Sequence, residues 1–417
     1  MTVPDAFSDG KVSDKPYFGR LMKVGLCLMV LVLMVGATVL SARILGRTEK
    51  EALKQMDERT RTTHCVMDEA RAKPIICMYE RGRVSPDYLV VDIPVHICRH
   101  VVYCCVQPYK RDWMVSHMEE TRIFGSRLEA HMASSFRYLG IGGRDVSYEA
   151  LDYELRSPKS MDVFIQDVIA FALNSKLTSG VAYFVPLPSK LRTDKLLQEL
   201  ALNTVKALSS YQGQTVIVIL PEHGYDVIRH FDASSFSHDR LLMVMPSHNM
   251  DPRNRSVPVA TCSSPYRAHT LGQSLETTFL DLKARYFDTW HQVESHLLFT
   301  FSLAWYVFQL YNVHNATAGA PAFYTRSTSY TEACEMASDS KFIQDRDDET
   351  DCLIIHDNTG HWMSGLDLSS GGFCRAHREI RGLVVFDIDM DDYRGNCMHH
   401  KYPLLQTLSD VFNEGTV

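Results

Sequence analysis

The sequence predicts an α/β barrel of eight parallel strands, preceded by one membrane-spanning helix. Three observations support this prediction. After residue 74, eight short runs of β-branched and aromatic residues alternate with longer helix-like segments. Several of these runs are apolar on both faces, as parallel strands covered by helices must be. Near the N-terminus, an uncharged apolar segment is about long enough to cross a bilayer.

The N-terminal segment 24–42 contains 19 residues without a charge and is rich in Leu, Val and Met. We interpret it as a transmembrane signal anchor, with residues 1–23 as a cytoplasmic tail. A cleaved signal peptide is the alternative, because residues 35–37 (VGA) offer the small side chains that a signal peptidase needs. In both cases the rest of the chain is expected outside the cytosol, membrane-bound on the extracellular or lumenal side or secreted.

The remaining chain divides into a charged, helix-prone stem over residues 43–73 and a barrel over residues 74–417. Helical spacing of apolar residues predicts helices over 161–174 and 193–208. The eight predicted strands are 75–79, 101–105, 136–141, 180–185, 215–220, 241–245, 297–301 and 382–386.

One connection is too long for a simple loop. About 80 residues separate the seventh and eighth runs, and they include strand-like segments at 353–355 and 362–363. We therefore expect an α+β subdomain, about residues 304–381, inserted between strands 7 and 8.

Composition excludes several classes of function. Hydrophobic residues make up 45% of the chain and charged residues 22%, with a formal net charge of −7. Without a basic patch, nucleic-acid binding is not expected. The chain has no glycine-rich phosphate loop, no paired Cys-x-x-Cys and no zinc-protease motif, and the pair His399 and His400 is interpreted as surface. We therefore predict no cofactor and no metal site.

Four segments carry a resemblance to a known family. They are 139–143 (LGIGG), 319–322 (GAPA), 358–367 (NTGHWMSGLD) and 382–397 (GLVVFDIDMDDYRGNC). Over about residues 73–412 the chain resembles the family 18 glycoside hydrolases, which comprise chitinases and chitinase-like lectins. The resemblance implies a TIM barrel with an inserted α+β subdomain.

The cysteines agree with this resemblance. It implies disulfides Cys77–Cys98 and Cys334–Cys397, and Cys352 could form a further bridge with Cys374. The other cysteines, among them Cys27 in the apolar segment and Cys65, Cys104, Cys105 and Cys262, have no assigned partner. With 11 cysteines in an oxidising compartment, at least one is left over. Two triplets, at Asn254 and Asn315, fit N-glycosylation.

The catalytic cluster of the family is absent. Active members carry Asp-Gly-x-Asp-x-Asp-Trp-Glu on the fourth strand, where the glutamate is the general acid. Aligned on Gly180, the two aspartate positions fall on Ala182 and Phe184, and the acid falls on Pro186. Residues 178–188 contain no Asp, Glu, His or Lys. The sequence therefore predicts an inactive protein without catalytic residues.

Binding could survive the loss of catalysis. The candidate ligand-binding residues are Tyr183, Trp305, Phe386 and Glu222. The expected ligand is chitin or another N-acetylglucosamine glycan, or else a protein partner. Aromatic side chains that point into the cleft would favour a lectin, whereas burial by packing would favour a scaffold.

Two alternatives remain open. An active glycosidase could use a relocated acid, either Glu222, which follows the fifth strand beside His223, or Asp387 at the end of the eighth. A scaffold or adhesion protein could use the outer surface of the barrel and no cleft. Asp389, Asp391 and Asp392 match acidic positions of the family and are interpreted as structural.

Overall fold

The computed structural model describes most of the chain after residue 72. The described residues are 73–107, 113–144, 155, 157–184, 191–211, 214–220, 228, 240–250, 253, 259–267, 274–366, 380–397 and 400–413. They belong to one compact unit, Cys65–Val417. Within them no helix is long and apolar enough to cross a bilayer. The predicted tail, anchor and stem lie outside the described residues.

Eight parallel strands close into a barrel, as the sequence predicts. They are β1 (Ile75–Glu80), β2 (His100–Val106), β3 (Phe136–Gly142), β4 (Gly180–Phe184), β5 (Thr215–Ile219), β6 (Leu241–Met245), β7 (Leu297–Ser302) and β13 (Leu383–Phe386). Around the barrel the order is β1-β13-β7-β6-β5-β4-β3-β2. Because all strands run the same way, their carboxyl ends surround one mouth of the barrel.

Alternation along each strand divides the apolar residues into two cores. On β4, Val181 and Tyr183 belong to the larger core, which also contains the inward faces of the helices. Ala182 and Phe184 belong to a smaller core with Ile217 of β5, and this core fills the barrel interior. Both faces of each strand are thus buried, which explains the nearly continuous apolar runs in the sequence.

Most of the described helices lie between consecutive strands, and the last one follows the final strand of the barrel. They are α1 (Trp113–His131), α2 (Pro158–Asn174), α3 (Leu191–Leu208), α4 (Leu275–Arg285), α5 (Trp290–Glu294), α6 (Tyr330–Ser338) and α7 (Pro403–Asn413). The sequence places α2 and α3 correctly. Ser157 caps α2, since its side chain accepts a hydrogen bond from the backbone N–H of Ser160.

An antiparallel sheet of five strands is inserted between β7 and β13. Its strands are β8 (Trp305–Leu310), β9 (Ala322–Thr328), β10 (Ile343–Asp347), β11 (Cys352–His356) and β12 (His361–Leu366). Their order is β10-β11-β12-β8-β9. The strand-like segments at 353–355 and 362–363 lie on β11 and β12, so the insertion has the expected place and sheet character.

Two disulfides implied by the resemblance are present, Cys77–Cys98 and Cys334–Cys397. The predicted bridge from Cys352 to Cys374 is wrong, because Cys352 bonds to Cys262. Cys352 begins β11, and its partner lies 90 residues earlier in the chain, so only tertiary structure brings the two together. Cys374 lies outside the described residues. Adjacent Cys104 and Cys105 are also bonded.

Candidate functional site

Two glycines at the end of β3 direct the chain across the mouth of the barrel. Gly142 and Gly143 have positive φ angles of 110° and 120°. A Cβ on Gly142 would lie 2.0 Å from the backbone oxygen of Phe184, and Gly143 donates its N–H to that same oxygen. Only glycine permits this conformation and this close approach to β4. The next residue, Arg144, is thereby directed to the barrel axis.

Arg144 is held by two carboxylates from opposite ends of the barrel sequence. One of its terminal nitrogens donates to Glu80, the last residue of β1, at 2.7 Å, and to both oxygens of Asp387 at 3.3 Å. Ser302 at the end of β7 donates its hydroxyl to Asp387 at 2.5 Å. The side chains of Arg144 and Glu80 are only 7% and 6% exposed, so this ion network is almost dry.

Burial and charge set the protonation of this network. Burial alone would raise the pKa of Asp387, but the Arg144 charge and the Ser302 hydroxyl outweigh it and lower the pKa below its usual value. Burial raises the pKa of Glu80, and the nearby Asp387 adds to the effect, while Arg144 opposes it. Burial alone would lower the pKa of Arg144, but the two carboxylates have the larger effect and raise this pKa above its ordinary value. The guanidinium therefore stays charged.

Aromatic rings fill the floor beneath the network. The guanidinium carbon of Arg144 lies 4.9 Å from the ring centroid of Phe386, an arrangement typical of a cation–π contact. The Phe386 ring lies 5.6 Å from Phe184 and 5.0 Å from His248. Because all three rings are fully buried, the interior below Arg144 is packed rather than open.

His248 has a defined tautomer and an unpaired donor. The hydroxyl oxygen of Thr300 accepts the backbone N–H of Ser247 at 2.8 Å, and the same oxygen lies 2.7 Å from Nδ1 of His248. The same oxygen also accepts the backbone N–H of His248 at 3.4 Å, so both of its lone pairs are used. We therefore assign the hydroxyl proton to the bond with Nδ1 and the ring proton to Nε2. Within the described part of the chain neither Nε2 of His248 nor Nε of Arg144 has a hydrogen-bond partner. Two buried donors thus lack an acceptor.

Stability should depend on pH through His248. Burial, followed by the nearby Arg144 charge, lowers the pKa of His248 to about 3 from an ordinary 6.5. The unfolded chain takes up this proton first, so the contribution of His248 is complete above about pH 6.5 and is lost as the pH falls towards about pH 3. Compared with His248→Asn, the wild type should lose up to about 1.4 kcal/mol more per pH unit in this window. Urea unfolding at several pH values measures the difference.

The same pH dependence of stability in His248→Asn would contradict the assignment of this effect to His248. The control is His314→Asn, a substitution at an exposed histidine.

The candidate residues of β4 separate into two groups. Ala182 and Phe184 face the barrel interior, where the family places its aspartates. Tyr183 faces the opposite way, and its hydroxyl is hydrogen-bonded to Thr204 of α3 at 2.9 Å. The prediction that Tyr183 lines a ligand site is therefore wrong, because adjacent residues of a strand point to opposite faces. Pro186 lies outside the described residues.

Trp305 is also not at the mouth. It packs in a separate core of the inserted sheet with Ala333 of α6 and Met363 of β12, and it is 1% exposed. Its neighbour Tyr306 faces the barrel, where its hydroxyl donates to the backbone oxygen of Asn249. The prediction of Trp305 as a ligand contact is wrong, because its ring is buried within the inserted sheet, and Tyr306 on the side that faces the barrel is buried as well.

Phe386 is the one predicted aromatic residue that the structure places at the mouth, although its ring is buried. Glu222, like its neighbour His223, lies outside the described residues. The three later aspartates accept backbone N–H groups. Asp389 accepts from Ser85, Asp391 from Leu404 and Leu405 at the start of α7, and Asp392 from Asn396 and Cys397.

Sequence reasoning missed the centre of this site. Neither Arg144 nor Glu80 is among the candidate residues predicted from the sequence. Glu80 directly follows the predicted strand 75–79, and Arg144 lies three residues after the predicted strand 136–141, near the strand ends where functional residues of such barrels occur. That placement is the signal that could have identified them.

Solved structures similar to this chain include chitinases and a chitinase-like protein. The Group IV chitinase of Ostrinia furnacalis, in complex with allosamidin, has a TM-score of 0.67 and 18% identity over 83% of this chain and 100% of its own. The class V chitinase of Nicotiana tobaccum has a TM-score of 0.67 and 13% identity, covering 82% and 99%. The chain has the chitinase fold. Human YKL-39, a pseudo-chitinase with retained chitooligosaccharide binding properties, has a TM-score of 0.66 and 15% identity, covering 82% and 99%. Neither the family models nor the curated proteins give a match to the sequence.

Within this chitinase fold, the Arg144 network occupies the face on which barrels of this architecture carry their active sites. The strand ends there supply a guanidinium, two carboxylates and an uncharged imidazole. Among these groups Asp387 has a left-handed backbone with φ 55°, a conformation that only a few per cent of residues other than glycine adopt. The mouth of the barrel is therefore polar, its side chains are held in fixed positions, and both of its carboxylates are paired with Arg144.

Proposed function

We propose that this chain is a catalytically inactive chitinase-like protein that acts by binding, either to a glycan such as a chitin oligosaccharide or to a protein partner. The observation that carries the proposal is the inner face of β4. Ala182 and Phe184 stand where the resemblance requires aspartates, and Phe184 packs against Phe386. An apolar ring at this position can neither orient an acetamido group nor relay a proton.

Asp387 is a poor substitute acid. A general acid must hold a proton at the working pH, yet the Arg144 charge and the Ser302 hydrogen bond lower the pKa of Asp387 despite its burial. Both of its oxygens already accept hydrogen bonds from Arg144. This arrangement argues against the active-enzyme alternative in the form that uses Asp387.

The unpaired donors at the mouth favour binding. Buried N–H groups normally have a partner, so Nε2 of His248 and Nε of Arg144 call for an acceptor oxygen from water or from a ligand. Hydroxyl and acetamido oxygens of a glycan are suitable acceptors, but both donor atoms are buried, so a glycan reaches them only by displacing the side chains above them. YKL-39, which has the same fold, is a pseudo-chitinase that retains chitooligosaccharide binding. This precedent supports a glycan as the first candidate ligand.

A protein scaffold is the second candidate function. The four aromatic residues Tyr183, Phe184, Trp305 and Phe386 are all fully buried, so none offers a free ring on which a sugar could stack. This favours a role for the outer surface of the barrel. A glycan would then have to contact the chain above the Arg144 network.

We also propose that the barrel lies outside the cytosol, anchored by residues 24–42. Disulfides form and persist mainly in oxidising compartments, and Cys77–Cys98, Cys262–Cys352 and Cys334–Cys397 support such a location. Four basic residues lie close to the apolar segment on each side, so the positive-inside rule favours neither orientation and the disulfides decide it. These residues are Lys11, Lys15, Arg20 and Lys23 before the segment and Arg43, Arg47, Lys50 and Lys54 after it.

The test is a hydrolysis assay of the purified full-length protein on chitooligosaccharides, with binding followed in the same titration. We expect turnover at least about 10²–10⁴-fold below that of an active chitinase, because the general acid is missing. Saturable binding that weakens in His248→Phe would support a glycan ligand at the mouth. Absence of binding would favour the scaffold function.

Variants separate the alternatives. Turnover in the wild type that disappears in Glu222→Gln would overturn the proposal and establish a relocated acid. Turnover that disappears in Asp387→Asn but not in Glu222→Gln would assign the acid to Asp387 instead. Asp281→Asn on α4, far from the strand ends in sequence, is the control for nonspecific effects.

A further inference from the structure

We infer that Asn315 carries an N-linked glycan whose inner sugars cover an exposed apolar patch on the inserted sheet. The outer-sheet patch consists of Tyr311, Val313 and Phe323. This inference rests on the hairpin between β8 and β9 and on the proposed location of the barrel outside the cytosol, where N-glycans are added. It names both a modification site and the surface that the modification protects.

Asn315 is ready for modification in the folded chain. It is exposed in the turn after β8, and its Oδ1 accepts the hydroxyl of Thr317 at 2.7 Å. Its Nδ2, the atom to which a glycan is attached, makes no hydrogen bond to any residue that the structure describes. Glycosylation replaces one hydrogen on Nδ2 and leaves Oδ1 free to keep its bond to Thr317. The folded state therefore accommodates the sugar without loss of a contact.

The reaction is a transfer from a lipid-linked oligosaccharide diphosphate. The bond between the anomeric carbon and the diphosphate oxygen breaks, and a bond from Nδ2 to that carbon forms. The proton lost from Nδ2 balances the charge on the released lipid diphosphate. No oxidant or reductant is needed.

The turn holds Asn315 outward in a fixed position. Buried Trp362 donates its indole N–H to the backbone oxygen of Ala316 at 2.9 Å. Gly319 donates its N–H to Ala260 at 2.8 Å, and Asn315 itself donates to the backbone oxygen of Asn312. These bonds anchor both sides of the triplet, so a sugar on Asn315 would start from a defined point.

The outer-sheet patch lies on the same hairpin as Asn315. Phe323 is paired with Gln309 across the hairpin, so their side chains share a face, and Tyr311 lies two residues after Gln309 on that face. A Cβ on Gly360 would lie 2.8 Å from both Val313 Cγ1 and Gln309 Nε2, which places Val313 next to Gln309 as well. Phe323 and Val313 thus lie beside Gln309, and Tyr311 follows at the end of β8, where its N–H donates to the backbone oxygen of Pro321 at 3.2 Å.

These side chains are too exposed to be explained by packing. Tyr311 is 68% exposed, Phe323 59% and Val313 37%. Contiguous apolar patches on soluble proteins usually mark a covered or interacting surface. The occupant we assign is the glycan, because sugar rings present C–H faces to aromatic side chains and Asn315 follows Val313 by two positions.

The first experiment maps the modification. Full-length protein is produced in a eukaryotic secretory system. Peptide N-glycosidase in ¹⁸O-labelled water then removes the glycans and labels each residue that carried one. The protein is digested and the labelled peptides are identified by mass spectrometry. We expect the label at Asn315 in the wild type and in Thr317→Ser, and no label there in Thr317→Ala. Unlabelled Asn315 in the wild type overturns the inference.

The second experiment tests coverage of the patch. Loss of the glycan in Thr317→Ala should raise the binding of a hydrophobic dye severalfold in the folded protein. Adding Phe323→Ser to this variant should return dye binding towards the wild-type value. Asn254→Gln, which removes the other acceptor triplet, should not change it. Equal dye binding by the wild type and Thr317→Ala overturns the assigned coverage, even if Asn315 is modified.

Discussion

Replacing Arg144 by methionine is expected to lower the free energy of unfolding by about 3–5 kcal/mol. The substitution keeps much of the apolar stem over Phe386 but removes the only charge that an ion pair places between Glu80 and Asp387 in the described residues. Two carboxylates would then share a nearly dry site without the guanidinium between them, although the Arg83 charge still favours their ionised forms. Chemical denaturation followed by far-ultraviolet circular dichroism measures the loss.

A matched surface substitution calibrates this effect. Arg394 pairs with Asp87 at 3.2 Å, but the two side chains are 55% and 73% exposed. Arg394→Met should therefore cost at most about 1 kcal/mol. Similar losses in the two variants would mean that Arg144 stabilises the fold no more than a surface residue does.

The origin of the loss can be checked by removing the carboxylates too. In the triple variant Glu80→Gln, Arg144→Met and Asp387→Asn, no buried charge remains uncompensated. Replacement of a complete buried ion network is often neutral, so the triple variant should recover most of the stability lost in Arg144→Met. If it remained as unstable as the single variant, the packing of Arg144 on Phe386 rather than its charge would be the main contribution.

Local pattern was sufficient to predict the barrel. The eight apolar runs are recognisable because each strand is buried on both faces, and that burial is visible in consecutive residues. The alternation of side chains along β4 also predicts which way Tyr183 points. Once Ala182 and Phe184 are placed in the interior, the residue between them must face the helices, so this error was avoidable from the sequence.

The centre of the site could not be predicted in the same way. Arg144 meets Glu80 across 64 residues of sequence and Asp387 across 243. Cys352 meets Cys262 across 90. No local periodicity reports such pairs, because they depend on how the barrel closes and on where the inserted sheet packs. The orientation of Trp305 could not be predicted from local sequence either, since it depends on which face of the inserted sheet meets the barrel.

Removing the Cys334–Cys397 disulfide should also destabilise the protein strongly. The bridge joins α6 of the inserted sheet region to the loop after β13, across a sequence separation of 63. The loop-closure model gives roughly 4 kcal/mol for a loop of this length, and about 3 kcal/mol for Cys77–Cys98, whose separation is 21. We therefore expect the double variant Cys334→Ala and Cys397→Ala to lose more stability than Cys77→Ala with Cys98→Ala.

Both double variants are compared with the wild type by urea unfolding under non-reducing conditions. The expected loss combines two effects at the α6 junction. The unfolded chain gains freedom when the bridge is absent, and the contacts around the bridge lose a covalent restraint. Those contacts include the hydrogen bond from Thr331 to Asp392 and the one from the backbone N–H of Cys397 to the same carboxylate.

Thr331→Val in the wild-type background separates the effect of the contacts from that of the covalent link, because it removes one contact and keeps the bridge. A loss in Thr331→Val as large as that in the cysteine variant would mean that the contacts, rather than the covalent link, hold this junction together.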